Sequence, residues 1–373
     1  MSATRTAADK SLVFDRTHLP PSFADPARPD RVMRAYRPLL TFYSAVSNLR
    51  LRAAGPSVVE RAIPVRVVEK TAEALGVVSL TLRSCSGEEL PRWHPGSHID
   101  VTLPSGTVRQ YSLCGDPDDS ATYRIAVRWI DGGIASTEIH DDVREGSILS
   151  IRGPRNAFPF ADPQLSKAGV DNIAFVAGGI GITALLPMIV NAHRSGLDWT
   201  LTYFGRNEAT LPFLDELTAL DPHRVHIVTT ETTGRPDPAE LLAHAGTGSA
   251  IYYCGPPPLH DAFRALLPET AAAGLHFERF SAPPVVGGNP FRLRLARTDT
   301  TVEVAADQSA LSAVRATRPG TAYSCQQGFC GTCRVKVLDG AVESRGTASF
   351  LDEPDTMLLC TDRSPNSEIC IDL

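Results

Sequence analysis

Hydrophobic and polar residues alternate in short segments between residues 62 and 160, the pattern of strands with one buried face. Clusters rich in Pro, Ser, Gly and Asp separate these segments, for example Pro104-Ser105-Gly106. The regular succession of strands and turns predicts a small antiparallel β-barrel. Its predicted strands include Val77–Leu82, His98–Leu103, Val108–Leu113, Arg124–Trp129 and Ile148–Arg152.

The pattern changes after residue 172, where short apolar runs alternate with longer helical stretches. An apolar helix that ends near Val190 follows the first run, and helical stretches separate the others. Alternation of this kind predicts a parallel sheet with helices on both faces. The predicted strands are Asn172–Ala177, Trp199–Phe204, Val225–Thr229 and Ala250–Cys254.

A stretch rich in Pro and Gly at residues 281–290 indicates a domain boundary. The part that follows predicts two strands, a helix at Ser309–Thr317 and a closing strand at Glu368–Leu373, which together form a small α+β domain. The predicted divisions are an N-terminal extension at 1–61, the barrel at 62–165, the parallel-sheet domain at 166–281, a linker at 282–290 and the α+β domain at 291–373.

The N-terminal extension differs in charge from the rest of the chain. It holds ten Lys and Arg against five Asp and Glu, a net charge of +5, which leaves −11 for the rest of a chain whose total is −6. A periodicity near 3.6 predicts a helix at residues 30–53, interrupted by Pro38 or restarted there. This helix either packs on the protein's own body or serves as a docking or dimerisation arm.

Composition excludes several classes of protein. Hydrophobic residues make up 43% of the chain and charged residues 21%, and the net charge of −6 argues against general nucleic-acid binding. No apolar run reaches the roughly 18 residues of a membrane span, and the N-terminus lacks the apolar stretch of a signal peptide. Cys85, Cys114, Cys254 and Cys370 are widely spaced, as expected for free thiols in a reducing compartment. We expect a cytoplasmic protein.

Four other cysteines carry the strongest chemical signal. Cys325, Cys330 and Cys333 are spaced C-x4-C-x2-C, and Cys360 follows after 26 further residues. This is the plant-type spacing for a [2Fe–2S] cluster held by four thiolates. Zinc sites usually have paired C-x2-C knuckles or added histidines, whereas no histidine lies beyond His276. The sequence therefore predicts these four cysteines as cluster ligands.

Two motifs indicate a nicotinamide site in the parallel-sheet domain. Gly178-Gly179-Ile180-Gly181-Ile182-Thr183 lies where a predicted strand meets a helix, a place where glycines let a pyrophosphate approach the helix N-terminus. The alternative is an ordinary tight turn. Cys254-Gly255-Pro256 ends another strand at the same carboxyl edge of the sheet, where open α/β sheets bind ligands.

The predicted barrel holds two polar motifs. Arg109-Gln110-Tyr111-Ser112-Leu113 has Arg109, Tyr111 and Leu113 on one face of a strand. An Arg can pair with a phosphate, a Tyr can stack on a ring and a Ser can hydrogen-bond a ring nitrogen, although a half-polar strand is the simpler interpretation. Gly132–Thr137 precedes a predicted helix at Thr137–Val143, so this loop is either an anion site or an ordinary helix cap.

Taken together, these motifs resemble the phthalate dioxygenase reductase family, which includes the vanillate O-demethylase reductases. That family joins a flavin barrel, an NAD domain and a C-terminal plant-type ferredoxin domain in this order. The resemblance covers residues 62–373 and rests on Arg109–Leu113, Gly178–Thr183, Cys254–Pro256 and the cysteines, with further similarity at Pro154–Phe158 and Phe277–Phe280.

The resemblance implies a chain of cofactors, because nicotinamides give up two electrons as hydride and a [2Fe–2S] cluster accepts one. It implies FMN, with FAD less favoured, held by Arg109, Tyr111 and Ser112 with the phosphate near Ser136 and Thr137. NADH would lie over Gly178–Thr183. NADPH stays open, because Arg206 can pair with a 2′-phosphate or with the pyrophosphate.

The implied catalytic residues are Ser112, beside the flavin nitrogen that receives the hydride, and Cys254, near the nicotinamide. The full set of expected cofactor-binding residues is Arg109, Gln110, Tyr111, Ser112, Leu113, Gly133, Ala135, Ser136, Thr137, Gly178, Gly179, Ile180, Gly181, Thr183, Arg206, Cys254, Gly255 and Pro256.

Three features depart from the family pattern. Ala184 stands where the family usually has proline, which is expected to reduce the rigidity of the loop. The 61-residue extension has no counterpart in a typical member. The segment at 342–346 lacks an expected His-Arg-Asp, so contacts near the cluster are expected to differ.

Electrons must leave the cluster for a partner, since the chain has no C-x-H…C-x-x-H pair for a Rieske centre. The resemblance implies a Rieske-type terminal oxygenase, with a haem-thiolate or di-iron monooxygenase as the alternative. A redox-sensing protein, in which the cluster state alters partner binding, is a further alternative. The acidic residues that either steer a basic docking face or form a solvated loop are Asp352, Glu353, Asp355 and Asp362.

Overall fold

The structure is a computed structural model that describes residues 62–160, 170, 172–231, 234–270, 272–280, 285–323, 326–328, 331–345 and 355–373. The predicted helix at residues 30–53, the start of the predicted linker, and the ligands Cys325 and Cys330 lie outside this part of the chain. No helix within it is long and apolar enough to cross a membrane.

The first sheet has six antiparallel strands in the order β4-β3-β6-β1-β2-β5. Its edge strands β4 and β5 also contact each other, so the sheet curls into the predicted barrel. Within the described part of the barrel there is one helix, α1 (Ile134–Asp141). The strands are β1 (Ile63–Ala74), β2 (Val77–Ser84), β3 (Ser97–Thr102), β4 (Val108–Ser112), β5 (Thr122–Arg128) and β6 (Ile148–Asn156).

The second sheet has five parallel strands in the order β11-β10-β7-β8-β9. The alternating pattern predicts the parallel sheet and four of its strands, whereas β11 was not predicted. The central strands of this sheet are buried on both faces, which is the usual state of a parallel sheet covered by helices. The strands are β7 (Ile173–Gly178), β8 (Trp199–Gly205), β9 (Val225–Thr229), β10 (Ala250–Cys254) and β11 (Gly274–Glu278). The helices are α2 (Ile182–Arg194), α3 (Leu214–Leu220), α4 (Pro238–Leu241) and α5 (Pro257–Leu266).

The third sheet is mixed, with the order β13-β12-β16-β14-β15, and only β12 and β16 pair in parallel. Helix α6 (Ala310–Thr317) begins after Ser309, whose hydroxyl accepts the amide of Ser312 as an N-cap. This is the predicted α+β domain. Its strands are β12 (Phe291–Leu295), β13 (Thr300–Val304), β14 (Arg334–Asp339), β15 (Thr356–Leu358) and β16 (Glu368–Ile371).

The two faces of the parallel sheet belong to different apolar clusters. Phe175, Ala177 and Cys254 pack with α2 and with barrel residues such as Phe158. The alternate residues of the same strands pack against α5 on the other face. Because side chains alternate along a strand, Cys254 therefore faces the barrel.

Candidate active site and cluster site

A cavity of about 270 Å³ opens where the barrel meets the parallel-sheet domain. It lies against strands β4 and β5, the N-terminus of α1 and the start of α2. The structure brings together here residues from three separate sequence motifs. The predicted residues that line the cavity are Arg109, Gln110, Tyr111, Ser112, Gly133, Ala135, Ser136, Ile180 and Thr183.

Two predicted barrel residues lie outside the cavity lining. The Leu113 side chain is fully buried in the barrel core. Thr137 is exposed, and its backbone N–H donates to Gly133 O at 3.0 Å as the first helical hydrogen bond. Helix α1 begins three residues earlier than predicted, so the N–H groups at its N-terminus belong to residues before Thr137.

The N-terminus of α1 is a candidate anion site. Gly133 is the N-cap and supplies no side-chain cap, so the first backbone N–H groups remain available to a ligand. The Ser136 hydroxyl donates to Gly133 O at 3.0 Å and accepts the N–H of Ile130 at 3.2 Å, so it holds the loop. Any larger residue at 133 would place its Cβ 2.6 Å from Ser136 Oγ.

Lys70 fixes the opposite end of this helix. Its ammonium donates to the carbonyls of Ile139, His140 and Val143 at 2.7–2.9 Å, which satisfies groups that a helix C-terminus leaves open. The contact comes from β1, so the helix is tied to the barrel wall. The N-terminus of α1 is thereby held at the cavity.

Two guanidinium groups line the same cavity, those of Arg109 on β4 and Arg128 on β5. Both residues are exposed, and Arg128 Nη1 lies near Gly179, 3.8 Å from the position of a Cβ there. Beside them, burial raises the pKa of Tyr111 to about 12, so its phenol stays neutral. The cavity thus combines positive charge with an aromatic ring, which suits an anionic ligand with a planar ring system.

The nicotinamide motifs meet at the edge of the parallel sheet. Ala177 on β7 pairs with Cys254 on β10, and a Cβ on Gly181 would lie 2.2 Å from Cys254 O. A Cβ on Gly178 would lie 2.7 Å from Pro256 Cδ. Arg206 follows the end of β8 as an exposed side chain outside the cavity lining. The predicted glycine loop and the Cys254–Pro256 segment therefore form one surface.

Glu278 is a site residue that the sequence analysis did not assign. It pairs with Cys254 across β10 and β11, and it is buried close to the Ser112 hydroxyl of the barrel, which offsets part of the rise in its pKa. Burial raises the pKa of Glu278 to about 8, and burial together with this carboxyl raises the pKa of Cys254 well above its usual value. The feature of the sequence that could have indicated Glu278 is a carboxyl residue at the end of a short apolar strand.

Arg128 and Phe280 also line the cavity without having been predicted. Phe280 follows β11 and remains half exposed at the cavity. The stretch Phe277–Phe280 contributed to the family resemblance, but nothing in its local pattern indicated that the chain would reach the cavity beside β4. Arg128 is the last residue of β5, and only the closure of the barrel, which brings β5 into contact with β4, places it at the cavity.

The described part of the cluster site contains Cys333 and Cys360. Both are buried in the core of the α+β domain, and Leu359 N donates to Cys333 O at 3.3 Å, so the two segments adjoin. Gly328 and Gly331 have φ of +80° and +74°, a conformation that favours glycine in a loop that must wrap tightly. Two buried cysteines on adjoining segments, one of them directly after this glycine-containing loop, fit a [2Fe–2S] cluster.

The acidic residues near Cys360 do not form one exposed group. Asp362 is 4% exposed and accepts the backbone N–H groups of Arg345 at 3.0 Å and Leu358 at 2.7 Å. It therefore holds the loop together, so neither of the two alternatives, a docking face or a solvated acidic loop, applies to Asp362. Asp355 is exposed, whereas Asp352 and Glu353 lie outside the described residues.

Comparisons with known proteins agree with this arrangement. Residues 64–160 match the model of the oxidoreductase FAD-binding domain, and residues 293–362 match the 2Fe-2S iron-sulfur cluster binding domain. The phenoxybenzoate dioxygenase subunit beta of Ectopseudomonas oleovorans is 35% identical over 306 residues, which cover 80% of this chain and 93% of that protein.

Two solved structures are also similar. Phthalate dioxygenase reductase, a modular structure for electron transfer from pyridine nucleotides to [2Fe-2S], has a TM-score of 0.61 and 30% identity, covering 84% of this chain and 98% of that one. An intact type IV self-sufficient cytochrome P450 monooxygenase has a TM-score of 0.66 and 33% identity over 94% of this chain. The present chain covers 45% of that longer protein.

The fold and the site define an iron–sulfur flavoprotein reductase, with a flavin barrel, a nicotinamide domain and a ferredoxin domain in one chain. The similarity extends over nearly the full length of its relatives. The chain belongs to the phthalate dioxygenase reductase family. It is the reductase component of an oxygenase system, passing electrons from a nicotinamide through a flavin to its cluster and on to an oxygenase.

Proposed function

We propose that the flavin is FMN, that the electron donor is NADH, and that the cluster delivers electrons to a Rieske-type oxygenase. The observation that carries the proposal is one cavity that is lined by β4, by the N-terminus of α1 and by Ile180 and Thr183 of the glycine loop. In this arrangement a flavin ring on Tyr111 and a nicotinamide on Gly178–Thr183 would adjoin.

The proposed flavin site assigns a role to each wall of the cavity. Arg109, Arg128 and the α1 N-terminus would bind the phosphate, because guanidinium groups and free backbone N–H groups both favour anions. Tyr111 would pack on the ring, and Ser112 would orient it by a hydrogen bond. A bound flavin accepts two electrons as hydride and releases them singly, while the protein supplies orientation and electrostatics.

Cys254 and Glu278 are proposed to shape the nicotinamide end of the site. Both are buried beside each other at the carboxyl edge of the sheet, and their raised pKa values keep them uncharged near neutral pH. An uncharged wall would accept a nicotinamide ring without placing an anion next to it. Glu278 would then hold a proton on its carboxyl, next to the Ser112 hydroxyl.

The test of the proposal is an anaerobic titration of the purified protein with NADH, followed by absorbance and EPR spectroscopy. Flavin bleaching followed by a rhombic [2Fe–2S] signal would support the order of transfer, and extraction of the flavin would distinguish FMN from FAD by mass. Parallel titration with NADPH would decide the donor. Absence of flavin would contradict the assignment of Arg109–Leu113.

Cys325→Ser separates the two halves of the pathway. Loss of one cluster ligand should abolish electron output to an added acceptor protein. NADH-driven flavin reduction should be unchanged, because none of the cysteine ligands belongs to the proposed flavin site. Stopped-flow absorbance measures both. Loss of flavin reduction together with output would contradict the proposed order.

A haem-thiolate monooxygenase is the second candidate partner, and one observation favours it. The solved self-sufficient cytochrome P450 is 33% identical to this chain, and the match covers 94% of this chain. Reconstitution with a purified Rieske oxygenase and with a P450 domain, each followed by NADH-dependent product formation, would distinguish the two. Product formation with the P450 domain and none with the Rieske oxygenase would overturn the Rieske assignment.

A further inference from the structure

Two side chains from the ferredoxin domain reach one face of barrel strands β3 and β4. Asp100 pairs with Gln110 across these strands, so their side chains share a face. Asp100 contacts Tyr323, and Gln110 contacts Gln326. Gln326 immediately follows the predicted ligand Cys325, and Tyr323 precedes that ligand by two residues. The contacts thus tie the cluster loop to the flavin strand.

The first contact is a buried charged hydrogen bond. Tyr323 is 6% exposed, and its hydroxyl donates to Asp100 Oδ1 at 3.1 Å. The same carboxylate forms an ion pair with Arg155 at 2.6 Å. The guanidinium of Arg315 lies 3.8 Å from the centre of the Tyr323 ring. Hydrogen bonds to charged groups are stronger than neutral ones, and buried ones are costly to leave unmade.

The second contact links the cluster loop to the cavity itself. Gln326 Nε2 donates to Gln110 Oε1 at 2.8 Å, although Gln326 has a left-handed backbone with φ of +53°. Gln110 Nε2 is buried and has no hydrogen-bond partner among the described residues, and Gln110 lines the flavin cavity. One amide thus binds the cluster loop through its oxygen and keeps a donor for a ligand in the cavity.

We infer that Tyr323, Asp100, Gln326 and Gln110 form a latch that positions the cluster loop against the flavin strand for electron transfer. In the step concerned, one electron leaves the reduced flavin and one enters the oxidised cluster, and no covalent bond forms or breaks. The inference rests on the proposed function. Tyr323 and Gln326 act as positioning residues, since neither is a cluster ligand.

The arrangement of apolar cores explains why a latch matters. The barrel and the nicotinamide domain share one apolar core. Among the described residues, the apolar core of the ferredoxin domain contains no residue from either of them. A domain that shares no core depends on side-chain contacts for its orientation. Losing such a contact should change the flavin-to-cluster geometry without unfolding the domain.

The test uses the complete protein with flavin and cluster bound and two conservative variants. Tyr323→Phe removes only the hydroxyl, and Gln326→Asn keeps a residue that tolerates the left-handed backbone but is too short to reach Gln110. In anaerobic stopped-flow mixing with NADH, flavin bleaching should be unchanged while cluster reduction slows about tenfold in each variant. That factor corresponds to about 1.4 kcal/mol, within the range for one lost buried hydrogen bond.

Tyr123→Phe is the matched control. Tyr123 is also a buried tyrosine, but it belongs to the barrel strand β5, and its hydroxyl donates to the carbonyl of Pro91 within the barrel. This variant should leave both rates unchanged. Hydrogen exchange gives a second readout, in which amides at residues 319–328 should exchange about tenfold faster in the latch variants only.

The measured rates of cluster reduction and of hydrogen exchange either support the latch or overturn it. Unchanged cluster reduction in both variants, or faster exchange without a slower rate, would overturn the latch. A wild-type cluster that stays oxidised while the flavin bleaches would overturn the proposed function and the latch together. Slower cluster reduction with faster exchange supports the latch.

Discussion

At the scale of single residues, burial decides the protonation of the site. Glu278 and Cys254 sit at the ends of neighbouring strands, away from water, and Tyr111 lies beside the cavity. Desolvation penalises the charged form of each group, so all three stay protonated near neutral pH. A reductase that binds a hydride donor here therefore presents hydrogen-bonding groups without introducing negative charge.

Glu278→Gln tests this protonation through stability. The pKa of Glu278 is about 8 in the folded protein and close to the ordinary 4.5 when unfolded. Between these values only the unfolded chain ionises, so wild-type unfolding free energy should fall by about 1.4 kcal/mol per pH unit at most. Glutamine cannot ionise. The variant's melting temperature relative to wild type should rise from pH 5 to pH 8 and then level.

An exposed carboxylate provides the control for this measurement. Glu240→Gln on α4 changes the same chemical group where water solvates it. Its stability difference from wild type is measured over the same pH range as the reference. A Glu278→Gln difference with the same pH dependence as this reference would contradict the raised pKa of Glu278.

At the scale of elements, close approach between two strand ends builds the surface that we propose for the nicotinamide. The turn from β7 into α2 passes so near the end of β10 that residue 181 has no room for a side chain. Gly181 itself has an ordinary helical backbone with φ of −59°, so space and not conformation requires glycine. The two motifs are therefore coupled by contact.

Gly181→Ala should separate these elements. Its Cβ would lie 2.2 Å from the backbone oxygen of Cys254, and backbone cannot rotate away as a side chain can. We expect a loss of about 1–3 kcal/mol of unfolding free energy, as for overpacked cores, and a higher KM for NADH. Gly320→Ala, where no atom lies within 4 Å, should change neither the melting temperature nor the KM. Equal behaviour of the two variants would contradict the contact.

At the scale of the whole molecule, the cores divide the three domains into two cooperative parts. Phe158 from the barrel packs 5.7 Å from the Tyr252 ring of the parallel sheet, within a cluster that spans both domains. Phe291 belongs to the separate core of the ferredoxin domain. Flavin and nicotinamide sites should therefore lose structure together, and the cluster site separately.

A pair of truncations tests this division. Phe158→Ala should cost about 3–5 kcal/mol and lower the temperature of flavin release, with less effect on cluster bleaching. Phe291→Ala should lower the temperature of cluster bleaching with less effect on flavin release. Flavin fluorescence and cluster absorbance follow the two events in one thermal ramp. Parallel shifts of both signals in both variants would indicate a single cooperative unit.

Local patterns were sufficient to predict the order and type of the three domains. Alternation with period two marked the barrel, the β-α rhythm marked the parallel sheet, and C-x4-C-x2-C marked the cluster loop. The ends of individual helices were predicted less accurately than the order of the domains. Helix α1 begins at Ile134 instead of Thr137, because Gly133 provides an N-cap without a capping side chain, the signal that marks most helix starts.

The cofactor classes could be predicted from local patterns, since glycine loops and ligand spacings are properties of short segments. Three contacts follow from the packing of the domains instead: Glu278 lies near Ser112, Arg128 and Arg109 line one cavity, and Gln326 binds Gln110. The two members of the Gln326–Gln110 pair are separated by 216 residues. Contacts at such separations depend on how whole sheets pack, and no periodicity along the chain encodes them.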